Sequence, residues 1–265
     1  KNLLKIKSSA LAMVDMALFD LVSKKAAVPL YQFLGGFRDK METSITIGIC
    51  SVEETLAEAE AFIQQGFSIL KIKGGLDVEA DIERMLKISE RFPKAVLRFD
   101  GNQGYSVKEA IRFFEQTKEV KIEIFEQPIK IHQEEKLGLL TSSISLPVMA
   151  DESLKSLADT FRLISNDRVD MINIKLMKVG GILEAMHINS VAKSNGIEAM
   201  VGCIDECALG ISAGLHFALS RPNIHFADLD GHLDFVSDPA IGCFRLENGW
   251  LYPGDKSGLG MIKEP

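Results

Sequence analysis

The sequence predicts an α/β protein built as a TIM-like (β/α) barrel, in which eight parallel strands alternate with helices. Three observations lead to this prediction. From residue 43 onward, short apolar runs alternate with amphipathic helical patterns, which favours parallel strand pairing. The runs are rich in Ile and Val, as expected of strands that are covered on both faces. The length of 265 residues suits a barrel that forms one domain.

Each strand and helix can be placed from its pattern. The predicted strands are Ser44–Cys50, Ile69–Lys73, Val96–Asp100, Ile122–Glu126, Pro147–Asp151, Met171–Leu176, Glu198–Cys203 and Ile224–Asp228. The predicted helices between them are Val52–Gln65, Val78–Arg91, Val107–Thr117, Glu134–Thr141, Leu154–Ile164, Ile182–Ser194 and Ala208–Leu219. Gly66 and Gly196 follow two of these helices, where a glycine often ends a helix in the left-handed conformation.

The two ends of the chain differ from the barrel pattern. Lys1–Leu34 is predicted to form an amphipathic helix that runs into a loop, which is an unusual beginning for a barrel. We therefore expect that an N-terminal part is missing from this chain. The predicted division is a helix and linker over 1–42, a catalytic barrel over 43–235 and a C-terminal segment over 236–265. This last segment is irregular after Asp230, and we expect it to pack back toward the opening helix or the missing part.

Composition excludes several classes of function. The formal net charge is -7, whereas binding to nucleic acid requires a basic surface. No apolar stretch is long enough to span a bilayer. The four cysteines have no C-x-x-C spacing, so we expect free thiols in a cytoplasmic protein. Separately, we expect the protein to be a homo-oligomer. Cys50 and Cys203 end predicted strands and are candidates for lining a site.

Three carboxylates end consecutive predicted strands: Asp100, Glu126 and Asp151. Each is separated from the next by one strand–helix unit, so all three should lie on one rim of the barrel. Like charges this close are unfavourable without a cation, and oxygen ligands favour a hard ion such as Mg²⁺. The alternative is that these residues are helix N-caps or members of loop salt bridges.

Lysines occupy neighbouring positions in the barrel. Lys71 and Lys73 share one face of the second predicted strand, and Lys175 lies at the end of the sixth. In an eight-stranded barrel these strands lie opposite each other, with the carboxylate strands between them on one side. Two bases on opposite faces of one carbon are suited to racemisation or epimerisation. The alternative is that the lysines only neutralise the carboxylates.

Two further patterns have open interpretations. Asp228 and Asp230 share one face at the end of the eighth predicted strand and would suit a cation on the substrate, or they belong to a solvated turn. Gly180 and Gly181 precede a helix, where they form either an anion site or a tight turn. There is no P-loop, G-x-S-x-G or G-x-G-x-x-G sequence that would indicate another chemistry.

The motifs KIK, FDGN, FEQP, ADES, NIKLMKVGG and DLDG together resemble the enolase superfamily, within its muconate-lactonising subgroup, and most closely its dipeptide epimerases. The resemblance covers nearly the whole chain and implies the barrel domain of that superfamily, with most of the N-terminal α+β capping domain absent. It implies a Mg²⁺-dependent epimerase that inverts the α-carbon of the C-terminal residue of a dipeptide through an enediolate. The same subgroup contains o-succinylbenzoate synthase, muconate cycloisomerase and N-acylamino acid racemase, which remain alternatives. A barrel that only binds a ligand is a further alternative.

The resemblance also implies a role for each site residue. Lys73 and Lys175 would be the two acid/base groups, with Lys71 assisting. Asp228 and Asp230 would hold the α-ammonium group of the dipeptide. The implied magnesium ligands are Asp100, Glu126 and Asp151. The implied side-chain pocket on the seventh strand contains Cys203, Ile204, Asp205 and Glu206.

Overall fold

A computed structural model describes residues 7–165, 167–240 and 242–261. Its helices are α1 (Ser8–Lys25), α2 (Leu30–Phe33), α3 (Val52–Gln64), α4 (Val78–Arg91), α5 (Val107–Thr117), α6 (Glu134–Ser143), α7 (Leu157–Ile164), α8 (Leu176–Val179), α9 (Ile182–Ser194) and α10 (Ala208–Leu219). Its strands are β1 (Met41–Glu42), β2 (Ile45–Ile47), β3 (Ile69–Lys73), β4 (Val96–Asp100), β5 (Ile122–Glu126), β6 (Val148–Ala150), β7 (Met171–Lys175), β8 (Glu198–Gly202), β9 (Ile224–Asp228), β10 (Phe244–Glu247) and β11 (Trp250–Pro253). A 3₁₀ helix covers Gly231–Asp234.

The predicted alternation of strands and helices is confirmed, and the eight predicted strands correspond to β2–β9. Their order in the parallel sheet is their order along the chain. Helices α4, α5, α9 and α10 have the predicted bounds. Two helices begin with a capping box, in which a serine side chain accepts a backbone hydrogen bond and a glutamate three residues later bonds back. Ser51 and Glu54 form the first box, and Ser106 and Glu109 form the second.

One compact unit contains Ser44–Leu154 and Phe161–Ile172. It holds the parallel strands β2 to β6 and the first two residues of β7. Side chains alternate along β4 and β5, so Phe99 and Phe125 point away from the acidic residues that follow them. Both rings pack with Phe113 of α5, with centroids 4.2 and 5.1 Å away. This aromatic contact fixes the two strands just before their acidic ends.

The other unit contains Lys1–Thr43, Lys155–Thr160 and Asn173–Pro265. It holds the rest of β7, the parallel pair β8 and β9, and a small antiparallel sheet in the order β1-β11-β10. Near the end of the chain, the backbone N–H of Leu259 donates to Asp20 Oδ1 at 2.8 Å, and Gly258 pairs with Pro29. The C-terminal segment therefore contacts α1 and the start of α2.

Several predictions about local structure were wrong. The tail is not irregular throughout, because β10 and β11 form a hairpin. The sequence carried its signal: Asn248 and Gly249 both have positive φ (50° and 76°), as a two-residue type I′ turn requires. The opening helix ends at Lys25, and after Ala27, which has a φ of 57°, the short helix α2 stands where a loop was predicted. Residues 1–6 of that predicted helix lie outside the described residues.

Four strand ends also differ from the prediction. The fifth and seventh predicted strands end one residue earlier, at Ala150 and Gly202, so Asp151 and Cys203 lie just beyond β6 and β8. The first predicted strand is only Ile45–Ile47, so Cys50 lies beyond the strand, where its thiol contacts Thr55 Oγ1 at 3.2 Å. The sixth predicted strand ends at Lys175, and Leu176 begins α8 instead. No helix in the described part of the chain is both long and apolar enough to cross a membrane.

Candidate active site

Asp100 and Glu126 lie side by side at the ends of β4 and β5, and Asp151 lies just beyond the end of β6. Lys73 pairs with Asp100, Asp100 pairs with Glu126, and Glu126 pairs with Met149 on the following strand. Asp151 comes two residues after Met149 and therefore lies beyond the same end of the sheet. The three acidic residues are 2–4% exposed. Parallel pairing, with one irregularity early in the pairing of β4 with β5, thus gathers three carboxylates that are 25 or 26 residues apart along the chain.

Lys71 joins these carboxylates. Its Nζ lies 3.2 Å from Asp100 Oδ2 and 2.8 Å from Glu126 Oε2, and the side chain is 2% exposed. Lys73, two residues further along β3, is exposed. The two lysines differ in environment because β3 ends at Lys73, where the chain leaves the sheet. We call Lys71, Asp100, Glu126 and Asp151 the carboxylate cluster.

The electrostatics of the carboxylate cluster favour a bound cation. Burial raises the pKa of Asp100, the positive charge of Lys71 lowers it, and the negative charges of Asp151 and Glu152 raise it. Within the described residues, no three acidic, histidine or cysteine side chains are already gathered as a metal-coordinating group. The donor set nevertheless fits a hard divalent cation, because it supplies only carboxylate oxygens and a second positive charge would offset their mutual repulsion.

A buried ion pair that sequence reasoning missed supports the end of β3. Arg84 on α4 donates from Nη2 to Asp81 Oδ1 at 2.5 Å and to the backbone carbonyl of Lys73 at 2.7 Å. Asp81 Oδ2 accepts from the backbone N–H of Gly75 at 2.7 Å and from the Tyr105 hydroxyl at 2.6 Å. Arg84 and Asp81 are each 2% exposed. The network therefore holds the backbone that carries Lys73.

The sequence did contain a signal for this pair. Asp81 and Arg84 occur at helical spacing beside Ile82, Met85 and Ile88, which form the buried side of α4. Charged residues within the apolar stripe of a helix are seldom buried unless they are paired. The pattern could therefore have predicted an internal ion pair, although not its contact with Lys73.

The second compact unit holds the remaining predicted site residues. Lys175 is 8% exposed at the end of β7. Burial raises the pKa of Glu206 to about 7, while a hydrogen bond from the backbone N–H of Ile204 and the charge of Lys175 lower it. That hydrogen bond spans 3.2 Å to Glu206 Oε1. Ile204 and Asp205 are exposed, whereas Glu206 is buried beside Lys175.

Asp228, Asp230 and Cys203 form a second polar group in this unit, which we call the aspartate cluster. Asp228 ends β9 and is 3% exposed, and Asp230 is 9% exposed. The Cys203 thiol lies 3.7 Å from Asp230 Oδ1 and accepts the backbone N–H of Gly231 at 3.4 Å. Burial, followed by the charges of Asp230 and Asp228, raises the pKa of Cys203 well above its usual value. Cys203 is therefore a neutral thiol beside two aspartates.

The Gly180–Gly181 pair forms a tight turn and not an anion site. Gly180 has a φ of 99° and ends α8, and Gly181 has a φ of 114° and precedes α9. The first backbone N–H groups of α9 have no partner within that helix, but they are bonded elsewhere in the chain. Asp15 Oδ2 accepts from Ile182 at 2.5 Å and from Leu183 at 3.3 Å. An aspartate of α1 thus occupies the position that an external anion would take.

The chain is similar to a known family and to characterised relatives. Residues 54–262 match the family model described as Enolase C-terminal domain-like. An L-Lys-D/L-Arg epimerase from Desulforapulum autotrophicum is 45% identical over 255 residues, which cover 96% of this chain and 72% of that protein.

Two solved structures are also similar. A substrate-liganded complex of the L-Ala-D/L-Glu epimerase from Bacillus subtilis has a TM-score of 0.94 and 40% identity, covering 96% of this chain and 72% of that one. A dipeptide epimerase from Methylococcus capsulatus, complexed with Mg and the dipeptide L-Arg-D-Lys, has a TM-score of 0.94 and 40% identity. That alignment covers 97% of this chain and 73% of the other.

Proposed function

Because this chain belongs to the enolase superfamily, through its Enolase C-terminal domain-like family, we propose that it is a magnesium-dependent dipeptide epimerase. Membership confirms the predicted fold class, the (β/α) barrel of that superfamily, and the expected enzyme class, an isomerase. The relatives named above act as dipeptide epimerases, which supports the choice of substrate class.

The proposed reaction moves the proton on the α-carbon of the C-terminal residue of a dipeptide. Asp100, Glu126 and Asp151 would hold Mg²⁺, and their all-oxygen donor set supports this assignment. A bound Mg²⁺ would act as a Lewis acid that stabilises negative charge on the substrate carboxylate. By holding the ion at the carboxyl ends of the strands, the three carboxylates would place the reacting end of the dipeptide there, where barrel enzymes hold their substrates.

Two lysines would carry the proton. We assign Lys73 as the base or acid for one face of the α-carbon and Lys175 for the other. Each lysine ends a parallel strand, Lys73 on β3 and Lys175 on β7. The strands β4, β5 and β6, which lead to the three acidic residues, lie between β3 and β7 in the sheet. Lys71 would assist by keeping a positive charge against Asp100 and Glu126. The feature that most strongly supports this scheme is the register of Lys73, Asp100 and Glu126 on adjacent strands.

The aspartate cluster would bind the other end of the substrate. Asp228 and Asp230 are both buried and near the same thiol, so two negative charges are held in one small region. A cation on the substrate would offset that repulsion, and the α-ammonium group of a dipeptide is such a cation. Glu206, Ile204 and Asp205 would contribute to the side-chain pocket.

Proton exchange in deuterated water tests the two-lysine scheme. We expect Lys73→Ala and Lys175→Ala each to abolish epimerisation. Each variant should still exchange the α-proton of one epimer, and the two variants should act on opposite epimers, because each keeps the base for one face. Lys87→Ala, at a half-exposed position, is the control. A full rate of epimerisation in either active-site variant would refute the scheme.

A substrate screen separates the alternatives. We expect deuterium uptake by members of a library of acidic, hydrophobic and cationic dipeptides, measured by mass spectrometry. Turnover of the succinylbenzoate precursor, of muconate or of N-acylamino acids with no dipeptide turnover would instead favour another enzyme of the muconate-lactonising subgroup. A folded protein that binds no Mg²⁺ in calorimetry would favour a barrel that only binds a ligand.

A further inference from the structure

Gln127, which follows Glu126, has an unusual backbone conformation. Its φ is 31°, in the left-handed region that residues other than glycine seldom adopt, and its side chain is fully buried. Such a conformation costs about 1–3 kcal/mol and persists only where surrounding contacts hold it in place. The contacts of Gln127 should therefore explain why the chain accepts this cost directly after a carboxylate of the cluster.

The Gln127 side chain makes four hydrogen bonds. Its Nε2 donates to the backbone carbonyl of Ile129 at 2.8 Å and to Ser153 Oγ at 2.9 Å. Its Oε1 accepts the backbone N–H of Asp151 at 2.8 Å and that of Ser153 at 3.1 Å. A primary amide has two donors and two acceptor positions, so this amide is fully used.

The Gln127 backbone is bonded in the same region. Its N–H donates to the carbonyl of Met149 at 2.8 Å, and its carbonyl accepts the N–H of Gln103 at 2.7 Å. The preceding carbonyl, that of Glu126, accepts the N–H of Gly101 at 2.9 Å. Gln127 therefore joins the loop after β4, the end of β5 and the chain just after β6, which are the three segments that carry Asp100, Glu126 and Asp151.

We propose that Gln127 is a positioning residue that sets the separation of Glu126 and Asp151 and so fits the carboxylate cluster to Mg²⁺. This inference rests on the proposed function. Gln127 acts through the ligands: it fixes the backbone of Glu126 by direct linkage and that of Asp151 by a hydrogen bond. Mg²⁺ requires near-ideal octahedral geometry at short distances, whereas Ca²⁺ accepts longer and more variable ones. A displaced ligand should therefore weaken Mg²⁺ binding more than Ca²⁺ binding.

Two substitutions test this role in the full chain. Gln127→Met keeps the length of the side chain and removes all four of its hydrogen bonds. Gln127→Asn keeps the amide and tolerates the left-handed backbone, but it is one methylene too short to span the same distance. Two variants keep the test decisive if one of them fails to fold.

Two control variants separate positioning from general loss of stability. Leu140→Ala removes a fully buried side chain on α6 that lies outside this hydrogen-bond network, so it should destabilise the fold without moving the ligands. Ser153→Ala removes one of the four hydrogen bonds and leaves the backbone bond of Asp151 intact.

Calorimetric titration with Mg²⁺ and with Ca²⁺ is the measurement. We expect both Gln127 variants to bind Mg²⁺ about 10- to 100-fold more weakly, as substitutions behind metal ligands do, with a smaller loss for Ca²⁺. Leu140→Ala should lower the melting temperature and leave the ratio of the two affinities unchanged, and Ser153→Ala should lose less Mg²⁺ affinity than Gln127→Met.

Two outcomes would overturn the inference, and they are distinguishable. If the unsubstituted protein binds Mg²⁺ and the Gln127 variants bind it with the same affinity and the same preference over Ca²⁺, the positioning role is wrong and the proposed function stands. If the unsubstituted protein binds no Mg²⁺, the proposed magnesium site is wrong and the role of Gln127 is wrong with it.

Discussion

Replacing Arg84 with methionine should destabilise the protein strongly, because it leaves the buried carboxylate of Asp81 without its cation. The guanidinium contacts Asp81 at 2.5 Å, the carbonyl of Lys73 at 2.7 Å and the carbonyl of Gly48 at 3.3 Å. Methionine fills a similar volume but donates no hydrogen bond. Asp81 would keep its hydrogen bonds from the N–H of Gly75 and the hydroxyl of Tyr105. It would therefore lose the positive charge of its partner and retain two neutral donors.

The size of the effect follows from burial. Arg84 and Asp81 are each 2% exposed, and removing one partner of a buried ion pair typically costs about 3–5 kcal/mol. A domain of this size loses roughly 2–4 °C in melting temperature per kcal/mol, so the expected decrease is about 6–20 °C.

The control is another arginine in the same unit. Arg112 on α5 pairs with Glu79, but these side chains are 57% and 60% exposed. Such a surface pair contributes about 0–1 kcal/mol, so Arg112→Met should leave the melting temperature nearly unchanged. Thermal unfolding followed by circular dichroism compares the two variants at one pH and one salt concentration. Equal melting temperatures for Arg84→Met and Arg112→Met would refute the reasoning from burial.

Three further predictions concern charge and space. Burial raises the pKa of Glu206 to about 7, so the folded state favours the protonated carboxyl group. The contribution of that group to the free energy of unfolding is fully present below the unfolded pKa of 4.5 and is lost as the pH rises to about 7. In urea unfolding, the free energy of unfolding of Glu206→Gln should therefore exceed that of the unsubstituted protein by up to about 3 kcal/mol at pH 8 and by little at pH 4. An equal difference at both pH values would contradict this. Lys71→Met removes the cation from two buried carboxylates, so the variant should have a lower melting temperature in EDTA than the unsubstituted protein. Addition of Mg²⁺ should raise the melting temperature of the variant by more than that of the unsubstituted protein. Gly231→Ala would place a methyl group 2.4 Å from the carbonyl oxygen of Ile204, and the resulting shift should cost about 1–3 kcal/mol in urea unfolding; an unchanged stability would show that this loop moves freely.

The positions of the strands and helices around the site could be predicted from the sequence. Period-two and helical patterns are local, and capping signals such as Ser106 and Glu109 fix where a helix begins. The in-register placement of Asp100 and Glu126 also followed, because parallel strands of similar length bring their carboxyl ends to one edge of a sheet. The hairpin at Asn248–Gly249 was predictable as well, because an Asn-Gly pair favours a type I′ turn, although the tail was expected to be irregular.

Contacts between distant residues could not be predicted in the same way. The cap that Asp15 provides for α9 joins positions 167 residues apart in the chain. The sequence favoured a tight turn at Gly180–Gly181 and left an anion site open, and the contact of Asp15 with the start of α9 excludes the anion site. A local pattern predicts that the N–H groups at a helix start need an acceptor, but it does not predict which residue of the folded chain is that acceptor.

The residue types near the strand ends can be identified from the sequence, and they define the available chemistry: carboxylates for a hard cation and lysines for proton transfer. The way in which those groups are supported depends on contacts that form only in the folded protein. Arg84 holds the carbonyl of Lys73, Gln127 ties the chain of Glu126 to that of Asp151, and burial shifts the pKa of Glu206. The physical reason is that hydrogen-bond geometry and desolvation depend on neighbours brought together by packing, and that information is spread over the whole chain.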